Sequence, residues 1–244
     1  MSLNLNYGLF FGVVMEQSIM LVSHIMAGTV AVFAGYMALF LKKGSKGHIK
    51  AGHWFVVSMA LMAISGAVVA YIKPMTISVI AGAFTLYLVL TALAVFRTEI
   101  QRVGGFNYTL MCIALLIGLY SIYCVYLVSQ SPMGRFQGFS AEPFIMFGVL
   151  AIVSAVLDLR YIKAKEISQR ARLTRHVWRM CFAMFIAVGS FVGQGLKRAP
   201  EDIRHFPLVE YADLIILLLM LYWLVRVNRL LPRAKQKLLK RAKS

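Results

Sequence analysis

Seven apolar stretches, separated by short polar gaps, constrain this chain more than any other feature of its sequence. They lie at Ile19–Leu41, Trp54–Ile72, Ile77–Phe96, Leu110–Val128, Phe144–Leu157, His176–Gly195 and Tyr211–Val225. A helix needs about 20 mostly apolar residues to cross a hydrocarbon core of ~30 Å, because it rises ~1.5 Å per residue. The fifth and seventh stretches are short and are expected to extend at both ends. The sequence therefore predicts an all-α integral membrane bundle of seven transmembrane helices.

The composition favours a membrane protein over a nucleic-acid-binding one. Hydrophobic residues make up 60% of the chain and charged residues only 14%, whereas about a quarter of a soluble domain is charged. The net charge of +17 would indicate nucleic acid in a soluble protein. Here the charge is confined to the gaps between apolar stretches, and no recognisable binding motif accompanies it. We expect the lipid bilayer, and no nucleic acid, as the partner.

The basic residues predict the orientation of the bundle. Cytoplasmic loops of membrane proteins carry an excess of Lys and Arg. The alternate gaps 42–53, 97–109, 158–175 and 226–244, counted with Arg179, hold all but five of the 26 basic residues. We therefore place the N-terminus outside and the C-terminus in the cytoplasm, which agrees with an odd number of spans.

The chain is predicted to form one domain with a short basic tail. Residues 1–231 make up the seven-helix transmembrane domain, and residues 232–244 make up the cytoplasmic tail. Such a tail orients a membrane protein, and it can also attract anionic lipid headgroups; both interpretations stay open. The aromatic content of 12% would suit contact with a partner membrane protein or a second copy of the chain.

Small residues predict a tight hairpin between the first two helices. The first helix carries them at a spacing of four, as Ser23, Ala27, Ala31 and Gly35, and the second carries Ala63 and Ala67. Such stripes let two helix backbones approach closely in lipid. In the joining stretch "KKGSKGHIKAGHW", residues 42–54, the glycines suit a tight turn and the lysines follow from the topology. Neither explains His48, whereas His53 is expected to belong with Trp54 to the interfacial end of the second helix.

Ionisable residues inside the apolar stretches are site candidates, because burying them is costly. His24 lies about five residues into the first helix, roughly 8 Å deep at ~1.5 Å per residue, and a neutral hydrogen-bonded role is the alternative. A denser group is expected at the cytoplasmic edge: His48 and His53 in the first loop, Asp158 and Arg160 in "LDLR", and His176, Arg179 and Met180 in "RHVWRM". Asp158 is expected to pair with Arg160 or Arg179. The group would bind a ligand, or would be a belt of interfacial charges reaching water.

Two of the histidines are candidates for a single b-type haem. Such a site needs two imidazoles on opposite faces of one iron. The expected pair is His48 or His53 with His176, because helix rise places His24 roughly 25 Å from His176. A haem or a quinone is therefore expected, if at all, near the cytoplasmic face.

No other catalytic or metal motif is recognisable. His48 and His53 are five residues apart and do not share a helix face, and the three cysteines show no paired spacing. The chain lacks HExxH, a P-loop, GxSxG and a catalytic carboxylate pair. The sequence thus predicts no metal site and assigns no catalytic residue.

Several of these residues resemble motifs of a known family. The run from "HIMAGTVAVFAGYMALFLKKGSKGHIKAGHW" through "LDLR" to "RLTRHVWRMCFAMFIAVGSFV" resembles the bacterial membrane proteins catalogued as domain of unknown function 2306. The first motif matches His24, Lys43-Gly44, His48 and Gly52, and the later one matches His176, Arg179 and Met180. The asparagine expected after the Ala-Phe of the sixth helix is replaced by Gln194 or is lost. The resemblance implies a multi-pass protein of the bacterial inner membrane, with His24, His48 and His176 as the residues to test.

Three functional hypotheses follow. The first is a redox-associated membrane protein that binds one haem or a quinone near His48 and His176. The second is a transporter or receptor for a small or amphiphilic ligand, with the inner cluster as an anion or headgroup site. The third is a non-enzymatic membrane subunit or assembly factor.

Overall fold

The described part of the chain is helical. The computed structural model describes residues 2–97, 105–164, 167–195, 200, 201 and 211–241. These ranges contain seven helices and no strand: α1 Ser2–Phe40, α2 Lys46–Ile72, α3 Thr76–Arg97, α4 Gly105–Gln130, α5 Ala141–Lys163, α6 Gln169–Gly195 and α7 Ala212–Arg241. The all-α class is therefore confirmed.

Six of the helices are long and apolar enough to cross a membrane. Their qualifying segments are Ile19–Phe40, Lys46–Ile72, Thr76–Phe96, Gly105–Gln130, Ala141–Lys163 and Gln169–Gly193. The expected extension of the fifth stretch is confirmed by α5. The chain is thus a multi-pass membrane protein by the length and composition of its helices.

The residues group into two compact units. One consists of Met1–Leu86 with Ile117–Leu150, and the other of Tyr87–Leu116 with Ala151–Ser244. In the first unit α1 and α2 pack closely along their lengths, so the predicted hairpin is confirmed.

The small residues between α1 and α2 lie on a slightly different stripe from the predicted one. Ala31 and Gly35 of the predicted stripe are buried, but Ser23 is exposed and its hydroxyl donates to the Met20 carbonyl at 2.9 Å. Gly28 is buried instead. A spacing that alternates three and four keeps one helix face in register, whereas a strict spacing of four drifts around the helix.

The junction between α1 and α2 is shorter than the sequence predicted. Gly44 has φ +78°, a conformation that glycine adopts without strain. Ser45 then caps α2, since its hydroxyl accepts the His48 N–H at 3.2 Å, and Lys43 donates to the Ala38 carbonyl of α1 at 2.7 Å. These hydrogen bonds pair backbone groups at the end of α1 and at the start of α2. The second helix therefore begins at Lys46 and already includes His48 and His53. The predicted placement of His48 in a loop was wrong, whereas the expectation that His53 belongs with Trp54 to the second helix is confirmed.

In the second unit α6 also begins earlier than predicted. The Ser168 hydroxyl accepts the N–H of Ala171 at 3.1 Å, which caps the first turn, and the helix starts at Gln169. His176 therefore lies about two turns inside α6 rather than at its beginning. α7 packs along α6, with Ile216 fully buried and a hydrogen bond of 2.6 Å from Arg170 to Asn228.

Candidate functional site

A buried carboxylate in the second unit collects donors from two other helices. Asp158 of α5 is 0% exposed. Its Oδ1 accepts from Nη2 of Arg175, at 2.9 Å, and from Nη2 of Arg179, both on α6. Its Oδ2 accepts from the Tyr87 hydroxyl of α3 at 2.5 Å. These four side chains are called the Asp158 cluster.

The helices place these side chains by simple spacing. Arg175 and Arg179 are four residues apart and so lie on one face of α6, one turn apart. Tyr87 stands at the middle of the 22-residue α3, about 15 Å from either end at ~1.5 Å per residue. The cluster thus joins the middle of α3 to the last third of α5 and the first half of α6.

Aromatic rings surround the two guanidinium groups. The Arg175 guanidinium lies 3.9 Å from the ring centroid of Tyr161. That of Arg179 lies 4.9 Å from the Trp178 ring and 5.2 Å from the Tyr87 ring. Each such contact contributes about 0.5–2 kcal/mol when desolvated. The rings stabilise the positive charge but offer no strong hydrogen-bond acceptor.

The Asp158 cluster carries more positive than negative charge. Two guanidinium groups face one carboxylate, which leaves an excess of one positive charge. Arg175 is 6% exposed and Arg179 is 1% exposed, so water screens neither group effectively. The uncompensated burial of a charge costs several kcal/mol.

The cluster also lacks hydrogen-bond acceptors. In both arginines Nε and Nη1 are buried without a partner, although a guanidinium carries five N–H donors. Within the described ranges, every unpartnered buried side-chain polar atom but Asn107 Oδ1 belongs to Arg175, Arg179, Tyr161 or Thr174. An oxygen-rich anion would supply both the missing acceptors and the missing negative charge.

Asp158 and Arg179 are buried, so the predicted alternative, a belt of interfacial charges that reach water, does not describe these two residues. Of the two expected partners of Asp158, Arg179 is confirmed, while Arg160 is exposed to the outside of α5. Met180 is half-buried on α6. Arg175 was missed, because it falls in a basic gap that looked like a loop; its spacing of four from Arg179 was the signal.

His176 lies on the side of α6 that packs on α3. Its Nδ1 is 3.2 Å from the Ala92 carbonyl, so this nitrogen donates, and its ring meets the Phe96 ring edge-on with centroids 4.9 Å apart. His176 therefore packs beside the Asp158 cluster in the same unit.

His24 and His48 belong to the first unit. The His24 Nδ1 is 2.8 Å from the Met62 carbonyl of α2, and the His48 Nδ1 is 3.0 Å from the Ala38 carbonyl of α1. Both rings thus join α1 to α2. A haem or quinone shared by His48 and His176 stays a prediction, and no group of three His, Cys, Asp or Glu side chains suited to a metal ion occurs among the described residues.

Comparisons with family models, with curated proteins and with solved structures find no match to this chain. The resemblance to domain of unknown function 2306 therefore stays a prediction. The Asp158 cluster has to be interpreted from its own chemistry.

Proposed function

We propose that this protein is a transporter or receptor that binds the anionic group of a small or amphiphilic ligand at the Asp158 cluster. The observation that carries the proposal is the pair of buried arginines with one carboxylate between them and four unpartnered guanidinium nitrogens. A carboxylate or phosphate group accepts several N–H bonds at once and matches the planar guanidinium.

Asp158 has a specific part in this proposal. It keeps Nη2 of both arginines engaged, so that Nε and Nη1 are left for the ligand. Its negative charge also lowers the affinity for the anion, because the site then carries one excess positive charge rather than two. A ligand held in this way is able to leave again, as transport or signalling requires.

The proposed setting is the bacterial inner membrane, as the resemblance to domain of unknown function 2306 implies. We further propose seven spans with the N-terminus outside and the C-terminus in the cytoplasm. The excess of basic residues in alternate gaps supports this orientation. The packing of α7 on α6 and the burial of Ile216 support a seventh span.

The test uses three single variants and two amphiphilic anions. The unfolding temperature of the purified protein in a neutral detergent is measured with dodecanoate, with dodecyl phosphate and with the uncharged dodecanol. Arg175→Gln leaves Asp158 balanced by Arg179, whereas Asp158→Asn doubles the excess positive charge. Arg160→Gln is the control, since it removes an exposed arginine of α5.

The two cluster variants should change anion affinity in opposite directions. At least one anion should stabilise the wild-type protein more than dodecanol does. Arg175→Gln should weaken that binding at least tenfold, because charge-assisted hydrogen bonds contribute about 1.5–3 kcal/mol. Asp158→Asn should strengthen it, and Arg160→Gln should leave it unchanged. If neither anion differs from dodecanol, or if Arg160→Gln weakens binding as much as Arg175→Gln, the proposal is wrong.

A further inference from the structure

One face of α2 combines basic and apolar residues in the order in which a phospholipid presents its parts. Lys46, Ile49, Lys50, His53, Trp54 and Val57 line a shallow, open groove along this face. Their spacing of three and four places them on one side of the helix. The groove belongs to the first unit and is separate from the Asp158 cluster.

Among the residues that the structure describes, none with an acidic side chain pairs with the basic end of the groove. Lys46 and Lys50 are exposed, and neither forms an ion pair with any part of the chain that the structure describes. No acidic residue occurs in the sequence between Glu16 and Glu99. Within the described part of the chain, the positive charge of these two ammonium groups, which lie one helical turn apart, is therefore uncompensated.

Beyond the lysines the same face becomes apolar. Trp54 is exposed just after them, followed by Val57, Leu61 and Ile64, which are all exposed. Tryptophan is enriched where a membrane helix meets the headgroup region. From Trp54 to Ile64 the apolar part of the face extends about 15 Å at ~1.5 Å per residue, which is half of a ~30 Å hydrocarbon core and so the depth of one leaflet.

We propose that this face, here called the α2 groove, binds an anionic phospholipid. The headgroup phosphate lies between Lys46 and Lys50, the glycerol region lies against Trp54, and an acyl chain follows Val57 to Ile64. Charge complementarity selects an anionic lipid over a zwitterionic one. The apolar part of the face selects a lipid over a free phosphate.

The test compares how strongly three ligands stabilise the same protein. The unfolding temperature of the delipidated protein in neutral detergent is titrated with phosphatidylglycerol, with phosphatidylcholine and with glycerol 3-phosphate. Phosphatidylglycerol should stabilise the protein at lower concentrations than phosphatidylcholine does, and glycerol 3-phosphate should have no effect. Lys46→Gln with Lys50→Gln should lower the affinity for phosphatidylglycerol roughly 30-fold, at about fivefold for each ammonium group.

A second pair of lysines supplies the matched control. Lys42→Gln with Lys73→Gln also removes two exposed positive charges but leaves the α2 groove intact. This pair should keep the preference for phosphatidylglycerol. Equal stabilisation by the two lipids, equal loss in both double variants, or full stabilisation by glycerol 3-phosphate would each overturn the proposal. Native mass spectrometry, by counting the lipids retained on each variant, gives the same comparison without unfolding.

Discussion

The contact between His24 and Gly66 predicts that replacing His24 reverses the effect of Gly66→Ala on the stability of the protein. A Cβ atom added at Gly66 would lie 2.7 Å from Cε1 and 2.9 Å from Nδ1 of the His24 ring, far inside ordinary contact. The ring would have to move by several tenths of an ångström. That movement would break its hydrogen bond to the Met62 carbonyl, now 2.8 Å long.

Three contributions determine how much Gly66→Ala should change the free energy of unfolding. Overpacking costs about 2 kcal/mol, and the lost hydrogen bond costs about 1 kcal/mol. Alanine gains about 1 kcal/mol over glycine within a helix. Gly66→Ala should therefore destabilise the protein by about 2 kcal/mol, or about 4–8 °C in Tm for a chain of this size. In a His24→Ala background the obstacle is absent, and Gly66→Ala should instead stabilise by about 1 kcal/mol.

Buried cysteines provide the assay. Cys112 is exposed, whereas Cys124 and Cys181 are buried, so a thiol-reactive fluorophore reports unfolding once Cys112→Ser has removed the exposed thiol. Gly52→Ala is the matched control, because it lies in the same helix and its added Cβ meets nothing within 4 Å. It should raise Tm in both backgrounds.

Two results would refute this account of His24. One is a rise in Tm for Gly66→Ala alone, equal to that of Gly52→Ala. The other is a penalty that persists after His24→Ala, since no ring then remains to be displaced. If the sign does reverse, the first role of His24 is to pack α1 against α2.

Two further predictions concern the Asp158 cluster and the topology. Tyr87→Phe keeps the ring beside Arg179 but removes the hydroxyl that Asp158 accepts, so it should destabilise the protein by about 1–3 kcal/mol; an unchanged or higher Tm in the cysteine assay would contradict this. Reporter fusions test the orientation: a fluorescent protein fused after Ser244 should fluoresce, and alkaline phosphatase inserted at Gly134 should be active, whereas the opposite pattern would place the C-terminus outside.

The sequence predicted the helices well and their ends poorly. Apolar stretches locate helices because their length and composition must match the bilayer. Apolar stretches do not reveal capping residues such as Ser45. The Ser45 hydroxyl accepts the His48 N–H, so α2 begins within a basic segment. Hydropathy assigns Lys46 and Lys50 to a loop, because it depends on their charge. It does not include the capping hydrogen bond of Ser45, with which α2 begins.

The site was predicted in part for a similar reason. Asp158 stood out as an acid at the end of an apolar stretch, and Arg179 as its expected partner. Arg160 is closer to Asp158 in sequence, but a spacing of two puts the residues on different helix faces. Tyr87 could not be chosen from the sequence alone, because the rotation of α3 about its axis is set by packing between helices. Arg175 could have been chosen from its spacing of four to Arg179, which puts both residues on one helix face.

The triple contact at Asp158 bears on how the chain enters a membrane during synthesis. Asp158 precedes Arg175 by 17 residues and Arg179 by 21, so α5 is made before either of its cationic partners. An unpaired acid or arginine in a spanning helix costs about 3 kcal/mol on insertion, and the segment of α6 is the least apolar of the six qualifying segments. Entry of α5 and α6 as one hairpin lets the opposite charges neutralise each other first. The Asp158 carboxylate, which positions both arginines in the cluster, thereby also lowers the free-energy cost of inserting α6 into the bilayer.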